Sequence, residues 1–155
     1  MGCLAAAAGY KDHFAIENFG ISPDHKYFCN GLLLLNCKKW REEHIAEKLL
    51  RIAAENKFQF RYPTQDVFNI VFDHNNYIVF DWKYNYMPKY HKDIEKPKII
   101  HYCWDKPWEN RDCGCSEYFW RIAEKTPYYE FFREKLQKNM AAKSNFAAEL
   151  RKKIK

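Results

Sequence analysis

The chain has 155 residues and carries 26 Lys+Arg against 20 Asp+Glu, a formal net charge of +6, with 47% hydrophobic and 18% aromatic residues. That length suits one domain or part of one, and so aromatic a chain with five Gly and six Pro is not disordered, collagen-like or a linker. Its longest apolar runs, residues 32–35 and 4–8, fall far short of a bilayer span.

The N-terminal stretch Met1-Gly2-Cys3-Leu4-Ala5-Ala6-Ala7-Ala8 has no basic segment ahead of it, and Lys11 comes after the apolar part. This argues against a secretory signal peptide and for a short buried strand or loop. Residues 27–36 form a nearly continuous apolar run after Ser22-Pro23-Asp24, which predicts a turn and then a buried strand. From Lys38 the period changes. Ile45, Leu49, Ile52 and Ala53 recur at helical spacing, opposite Glu43, Glu47, Lys48 and Glu55, which predicts a helix ending near Asn56.

Pro63-Thr64-Gln65-Asp66 has the chemistry of a helix start, with Thr64 as N-cap and Asp66 near the positive helix end. Val67, Phe68, Ile70, Val71 and Phe72 make that helix apolar over much of its surface. Asp73-His74-Asn75-Asn76 reads as a turn and residues 77–80 as a strand. Residues 84–96 read as an irregular loop, and residues 98–102 as another short buried strand. A helix follows from Ser116 to Glu124, Thr126-Pro127 interrupts it, and a last basic, amphipathic helix runs from Tyr128 towards Lys155. Strands alternating with helices predict an α/β domain with a mixed sheet and flanking helices.

The six cysteines lack the spacing of a disulfide scaffold, which fits a reducing, cytoplasmic compartment. Cys3, Cys29 and Cys37 lie in apolar runs, where a free Cys behaves as a small hydrophobe. Cys113-Gly114-Cys115 is either a loop with two thiols or half of a metal site, and no second Cys pair stands at zinc spacing.

Chemistry concentrates in His101-Tyr102-Cys103-Trp104-Asp105-Lys106-Pro107-Trp108. A His at the end of a strand lies where open α/β sheets bind ligands, and a neutral imidazole is a good ligand for a divalent cation. Lys106 offers a point charge to phosphate oxygens. The same residues also read as a strand-end His, a solvated Lys and two Trp rings closing a core.

This octapeptide resembles the His-x-x-Gly-x-x-Lys-Pro-Trp signature of glycosyltransferase family 8. Three more segments are similar to family motifs in the same order: Tyr27-Phe28-Cys29-Asn30-Gly31 with its continuation Asn36-Cys37-Lys38-Lys39-Trp40-Arg41, then Thr64-Gln65-Asp66-Val67-Phe68-Asn69, then Tyr84-Asn85-Tyr86. The resemblance covers about residues 20–130. It implies a GT-A-type nucleotide-diphospho-sugar transferase fold, of which this chain carries the C-terminal, acceptor-side part over residues 1–127, followed by a basic helix over 128–155. It further implies transfer of glucose or galactose from a UDP-sugar to a saccharide or lipid-linked saccharide, with retention at the anomeric carbon, in surface polysaccharide synthesis.

By the same resemblance, His101 would be a ligand of a catalytic Mn²⁺ or Mg²⁺, and Lys106 would contact the donor diphosphate. Gln65 would lie at the reacting centre. Cys29, Asn30 and Gly31 would line the donor-sugar pocket, with Cys103 and Trp104 at its rim, while Asp66 would hold the Gln65 segment in place. Four features depart from the family pattern. Cys29 stands for Asn, Thr64 for an acidic residue and Trp104 for Gly, and Lys106 follows His101 by five residues instead of six. The family's Asp-x-Asp metal ligands precede the Tyr-Phe-Asn strand, and the 26 residues before Tyr27 contain no such pair. An alternative therefore stands beside the enzyme: an inactive remnant or accessory fragment that binds a glycan or a membrane.

Residues 130–155 hold eight Lys/Arg against three Glu, most of the net charge, with Phe131, Phe132, Met140, Phe146, Leu150 and Ile154 interleaved. Such a helix either lies on an anionic membrane, on the inner face of which the protein would be peripheral, or packs on its domain with a solvated face. Nucleic acid is not expected, because no binding motif accompanies the charge.

Overall fold

The N-terminal alanines form a strand, β1 (Leu4–Tyr10), in the computed structural model, which describes residues 3–10, 12–57, 59–74, 76–90 and 96–153. The chain divides into two compact units, Met1–Asn85 and Tyr86–Lys155.

In the first unit β1 pairs antiparallel with β2 (Tyr27–Leu35) and parallel with β3 (Ile78–Val79), giving a mixed sheet in the order β2-β1-β3. Helix α1 (His13–Phe19) starts on Asp12, whose carboxylate accepts the Ala15 N–H at 3.0 Å, and stops at Gly20. There the backbone turns left-handed, at φ 66°, a conformation that glycine adopts without a Cβ penalty.

The register of β1 against β2 explains a feature that the sequence reads as uninterrupted strand. Ala6 pairs with Leu33, yet the next residue, Ala7, pairs with Cys29. Asn30, Gly31 and Leu32 are thereby left without β1 partners and form a bulge in β2. The N-terminal half of β2 is buried (Tyr27, Phe28, Cys29), whereas Leu34 beyond the bulge is 70% exposed.

Residues 38–56 form two helices where their periodicity predicts one: α2 (Cys37–Glu42) and α3 (Ile45–Glu55), separated at His44, which takes φ 51°. In a continuous helix Trp40 and Ile45 would point roughly 140° apart at about 100° per residue. The break rephases them, so that Ile45 is buried and both Trp40 and Leu49 pack on the same core. That core is built from Cys3, Leu4, Ala6, Phe28, Ile45, Phe72 and Tyr77. A smaller cluster of Ala15, Ile21 and Tyr27 packs with Phe19 and Ile70. Burial pushes the Tyr77 phenol up to about 12, and its hydroxyl donates to the Lys26 carbonyl.

Helix α4 (Pro63–Val71) begins at Pro63, with Tyr62 as its N-cap residue instead of Thr64. The Asp66 carboxylate, one turn in, reaches back to the Tyr62 N–H at 2.8 Å and does the capping work expected of Thr64. The strand expected over residues 77–80 is shorter, because only Ile78 and Val79 find partners, in Ala5 and Ala6. A short 3₁₀ turn, Trp82–Tyr84, ends on the first residue of the segment read as an irregular loop, residues 84–96, of which residues 91–95 lie outside the described ones.

In the second unit, residues 98–102 do not form the buried strand that their composition suggests. Tyr86 and Ile100 make a single parallel bridge, with no further ladder to extend it, and Ile99 is exposed. Helices α5 (Ser116–Ala123) and α6 (Tyr129–Lys153) stand where expected, separated at Thr126-Pro127. Phe119 of α5, Phe132 of α6 and Trp108 form a triangle of rings with centroids 5.0–5.2 Å apart. The Asn139 side chain donates to the Trp108 carbonyl at 3.4 Å, and Lys135 pairs with Glu109 at 3.5 Å. Helix α6 is thus seated on the loop that follows Lys106, while its residues 141–146 are exposed.

All six cysteines are free; Cys3, Cys29 and Cys113 are buried and Cys37 is exposed, against the expectation that Cys37 acts as a core hydrophobe. Alkylation with iodoacetamide should therefore label Cys37 first, with Cys3, Cys29 and Cys113 protected until the chain unfolds. Peptide mapping over time checks this, and early labelling of Cys3 or Cys29 would contradict the burial.

Candidate functional site

The bulge in β2 leaves the Asn30 N–H without a β1 partner, and the first turn of α4 takes it up. The Asn30 N–H donates to Gln65 Oε1 at 3.2 Å, and Asn30 Nδ2 donates to Thr64 Oγ1 at 2.8 Å. Within the bulge the Gly31 N–H points at Cys29 Sγ, 3.4 Å away. Four of the residues singled out from sequence, Cys29, Asn30, Gly31 and Gln65, are thus brought together. Their surroundings differ: Cys29 is buried, Asn30 and Gln65 are half-buried, and Gly31 is exposed.

Beneath this clamp lies a layer of buried polar groups. Asp66 accepts from the Tyr27 hydroxyl as well as from the Tyr62 N–H. Fully buried Asn69 accepts the Phe28 N–H at 2.9 Å and donates to the Phe28 carbonyl at 3.0 Å and the Gln65 carbonyl at 2.9 Å. Asn69 acts as a surrogate ladder partner for β2, tying the strand to the helix that carries Gln65. Asp66 sits where the resemblance puts it, but the depth of the Asn69 network was not foreseen. The spacing Gln65-x-x-x-Asn69, one helical turn, was the available signal.

The second unit places His101, Cys103 and Trp104 along one cavity of about 260 Å³, which Met87, Asp105 and Gly114 also line. The His101 N–H donates to the Tyr86 carbonyl at 2.8 Å, fixing the start of the loop. Burial, with a smaller contribution from the Lys106 cation, lowers the His101 pKa and favours the neutral imidazole. The sign follows from linkage: this contribution to stability is whole above the ordinary imidazole range and is lost as pH falls below about 6.5 through the folded value.

Cys103 Sγ lies 3.3 Å from Met87 Sδ, and Trp104, 53% exposed, carries the Lys89 ammonium 5.8 Å from its ring centroid. The Tyr102 hydroxyl donates to the Cys115 carbonyl at 2.6 Å, and burial pushes the phenol up to about 12. Burial likewise raises the Cys113 and Cys115 thiols, so both are protonated at neutral pH and poor nucleophiles.

Lys106 does not line the cavity. Its ammonium donates to the carbonyl of Tyr102 and to that of Cys103, the latter at 3.3 Å. The loop is therefore wound around its own cation. Gly114 is packed against Pro88, where an added Cβ would stand 2.9 Å from the Pro88 Cβ. Gly114→Val should force the two segments apart and reshape the cavity, costing about 1–3 kcal/mol as an overpacked site. Thermal denaturation checks this, and an unchanged melting temperature would show that the loop yields freely.

Among the described residues no group of three or more His, Cys, Asp or Glu side chains is arranged to hold a metal ion. The chain offers His101 as one imidazole, and a Mn²⁺ or Mg²⁺ needs several oxygen donors besides. The residues described do not by themselves make a site for either ion.

The sequence profile of Glycosyl transferase family 8 matches residues 9–112, which include the Asn30–Gln65 clamp and the His101–Trp108 loop. This chain belongs to glycosyl transferase family 8. Glycosyltransferase GlyF of Streptococcus pneumoniae serotype 4 is 30% identical over 129 residues, covering 76% of this chain and 32% of GlyF. Lipopolysaccharide 1,2-glucosyltransferase of Escherichia coli K12 is 27% identical over 146 residues, covering 80% of this chain and 43% of the enzyme.

Among solved structures, the galactosyltransferase LgtC in complex with donor and acceptor sugar analogues superposes with a TM-score of 0.71 at 25% identity. The match covers 86% of this chain and 56% of LgtC. The family 8 chain therefore has a GT-A-type α/β fold and spans less than half the length of these two curated relatives.

Proposed function

We propose that this family 8 chain takes part in moving glucose or galactose from a UDP-sugar to a saccharide acceptor, with retention, in the synthesis of surface polysaccharide. The observation that carries the reading is the clamp between the β2 bulge and α4, which holds the Gln65 side chain against Asn30. A bulge stapled by a side-chain amide is a preorganised polar surface of the kind that orients sugar hydroxyls. The E. coli relative, named a lipopolysaccharide glucosyltransferase, and LgtC, solved with donor and acceptor sugar analogues, support the substrate class.

In this reading Gln65 meets the transferred sugar through its amide, and Asn30 and Gly31 line the sugar pocket beside it, with Cys29 beneath. Lys106 provides positive charge towards the leaving diphosphate, where negative charge develops in the transition state. His101 would offer one neutral imidazole to a Mn²⁺ or Mg²⁺, which would polarise the leaving diphosphate. Trp104 and Cys103 line the cavity beside His101.

A second reading, a fragment that binds glycan or membrane without catalysing transfer, is favoured by the incomplete donor set around His101. No helix among the described residues is long and apolar enough to cross a membrane. Exposed Tyr118, Ile122, Tyr128 and Phe131 of the second unit, interspersed with Arg121 and Lys125, support association with an anionic membrane surface on the cytoplasmic side and a lipid-linked acceptor.

Calorimetric titration with UDP-glucose and UDP-galactose in the presence of Mn²⁺, alongside a transfer assay, tests the two readings. Micromolar binding with turnover is expected of the enzyme, and binding without turnover supports the fragment. No heat and no turnover at millimolar donor would overturn the donor assignment. His101→Ala should remove the Mn²⁺-dependent part of donor binding, and undiminished Mn²⁺ dependence would refute its place as a ligand.

A further inference from the structure

His25 lies in the turn before β2, outside the four motif segments described above, and only 2% of its surface is exposed. Its ring packs between Phe28 and Tyr77, with centroids 6.4 and 5.8 Å away. An aliphatic side chain would fill such a place more cheaply than a polar ring. The ring's two nitrogens show why an imidazole stands there. Nε2 lies 2.9 Å from Asn69 Oδ1, and Nδ1 lies 3.4 Å from Asp73 Oδ1.

The orientation of Asn69 is set independently of His25. Its Oδ1 accepts the Phe28 N–H, and its Nδ2 donates to the Phe28 and Gln65 carbonyls. Oδ1 is therefore the oxygen, and His25 must meet it with an Nε2–H donor. With that bond all four hydrogen-bonding positions of the Asn69 amide are filled. The Asp73 carboxylate is itself pinned by the Ser22 N–H, at 3.1 and 3.0 Å from its two oxygens, and faces the other edge of the ring.

We infer that His25 is a positioning residue for Gln65, acting through Asn69. The imidazole Nε2–H fills the second lone pair of Asn69 Oδ1, and Asn69 holds the first turn of α4 by the Gln65 carbonyl. Gln65 Oε1 in turn closes on the Asn30 N–H in the bulge. The relay joins the pre-strand turn, the bulge and the helix start through side chains 35–44 residues apart in sequence. Its consequence for catalysis rests on the reading of Gln65 as the residue beside the transferred sugar. Its consequence for geometry does not.

Two conservative replacements separate positioning from mere packing. His25→Gln carries an amide nitrogen at the place of Nε2, whereas His25→Asn carries one at the place of Nδ1 and cannot reach Asn69. In ¹⁵N-labelled full-length chain, the Gln65 and Asn69 side-chain amide resonances should shift in His25→Ala and His25→Asn and return towards their original positions in His25→Gln. Thermal denaturation confirms that each variant is folded.

In the transfer assay, His25→Asn should lose about tenfold or more in kcat with a donor KM changed less than about threefold, and His25→Gln should recover most of the loss. Resonances that stay in place in His25→Ala and His25→Asn, or Gln and Asn variants that behave alike in both assays, would overturn the inference. A chain that turns over no UDP-sugar in any form would instead count against the function proposed above, and the amide resonances would still decide the role of His25.

Discussion

Replacing Asn69 by alanine should lower the free energy of unfolding by about 3–5 kcal/mol, one of the largest losses expected for any single substitution in this chain. The side chain is fully buried and bonded on both sides, to the Phe28 N–H and carbonyl of β2 and to the Gln65 carbonyl of α4. Alanine leaves the Phe28 N–H and carbonyl buried without their Asn69 partners, just ahead of the bulge in β2, and opens a small cavity as well. Each orphaned backbone group costs about 1–3 kcal/mol, more than an ordinary hydrogen bond contributes, because water cannot reach it. Equilibrium urea denaturation of the two proteins measures the difference. A loss below about 1 kcal/mol would show that water enters or that β2 relaxes onto another partner.

On the function proposed above, replacing Lys106 by methionine should reduce the turnover of sugar transfer by about a hundredfold, and it also takes from the loop the donor to its Tyr102 and Cys103 carbonyls. Methionine keeps the apolar stem of the side chain and removes the ammonium, which donates to the Tyr102 and Cys103 carbonyls. On that reading the cation is preorganised: its position would be set before a diphosphate arrived, so little would be spent on ordering it. Lys106→Arg retains the charge but presents a planar fork that does not reproduce the two carbonyl contacts, and should recover activity only in part. A methionine variant with kcat within twofold of the original would remove Lys106 from the transition state. The assay follows release of UDP with and without acceptor.

The parts of the fold legible in the residues are those encoded by near neighbours. The apolar run at 27–36 is β2, the Ser116 and Tyr129 helices stand on either side of Thr126-Pro127, and Pro63 opens α4. The errors share one cause. Thr64 has the chemistry of an N-cap, but its hydroxyl is taken by Asn30 from 34 residues away, and Asp66 caps the Tyr62 N–H instead. Residues 98–102 have the composition of a strand but find one bridge partner, and a strand needs a ladder. The helical period of residues 38–56 runs unbroken in sequence. The backbone nevertheless breaks at His44, because one straight helix would not turn both Trp40 and Ile45 to the same core.

The same division holds for the site. His101, Lys106, Gln65 and Asn30 were readable as chemistry-bearing residues because their motifs are contiguous and ordered along the chain. What each does locally was not: Lys106 curls back onto its own loop, and Gln65 staples a bulge that an apolar run does not reveal.

The opening figures of length and charge left room for one domain or part of one. By itself the sequence determined the α/β class and the basic character of the last helix, through residue types and short spacings, and pointed to the family through the resemblance of four ordered motifs. The tertiary structure decided which backbone groups of β2 lose their sheet partners and which side chains replace them. It also decided that a buried His25 stands behind Gln65. Those outcomes depend on pairings between residues 34–51 positions apart, and no local pattern carries that information, because the energy of each bond exists only once both partners have left water together.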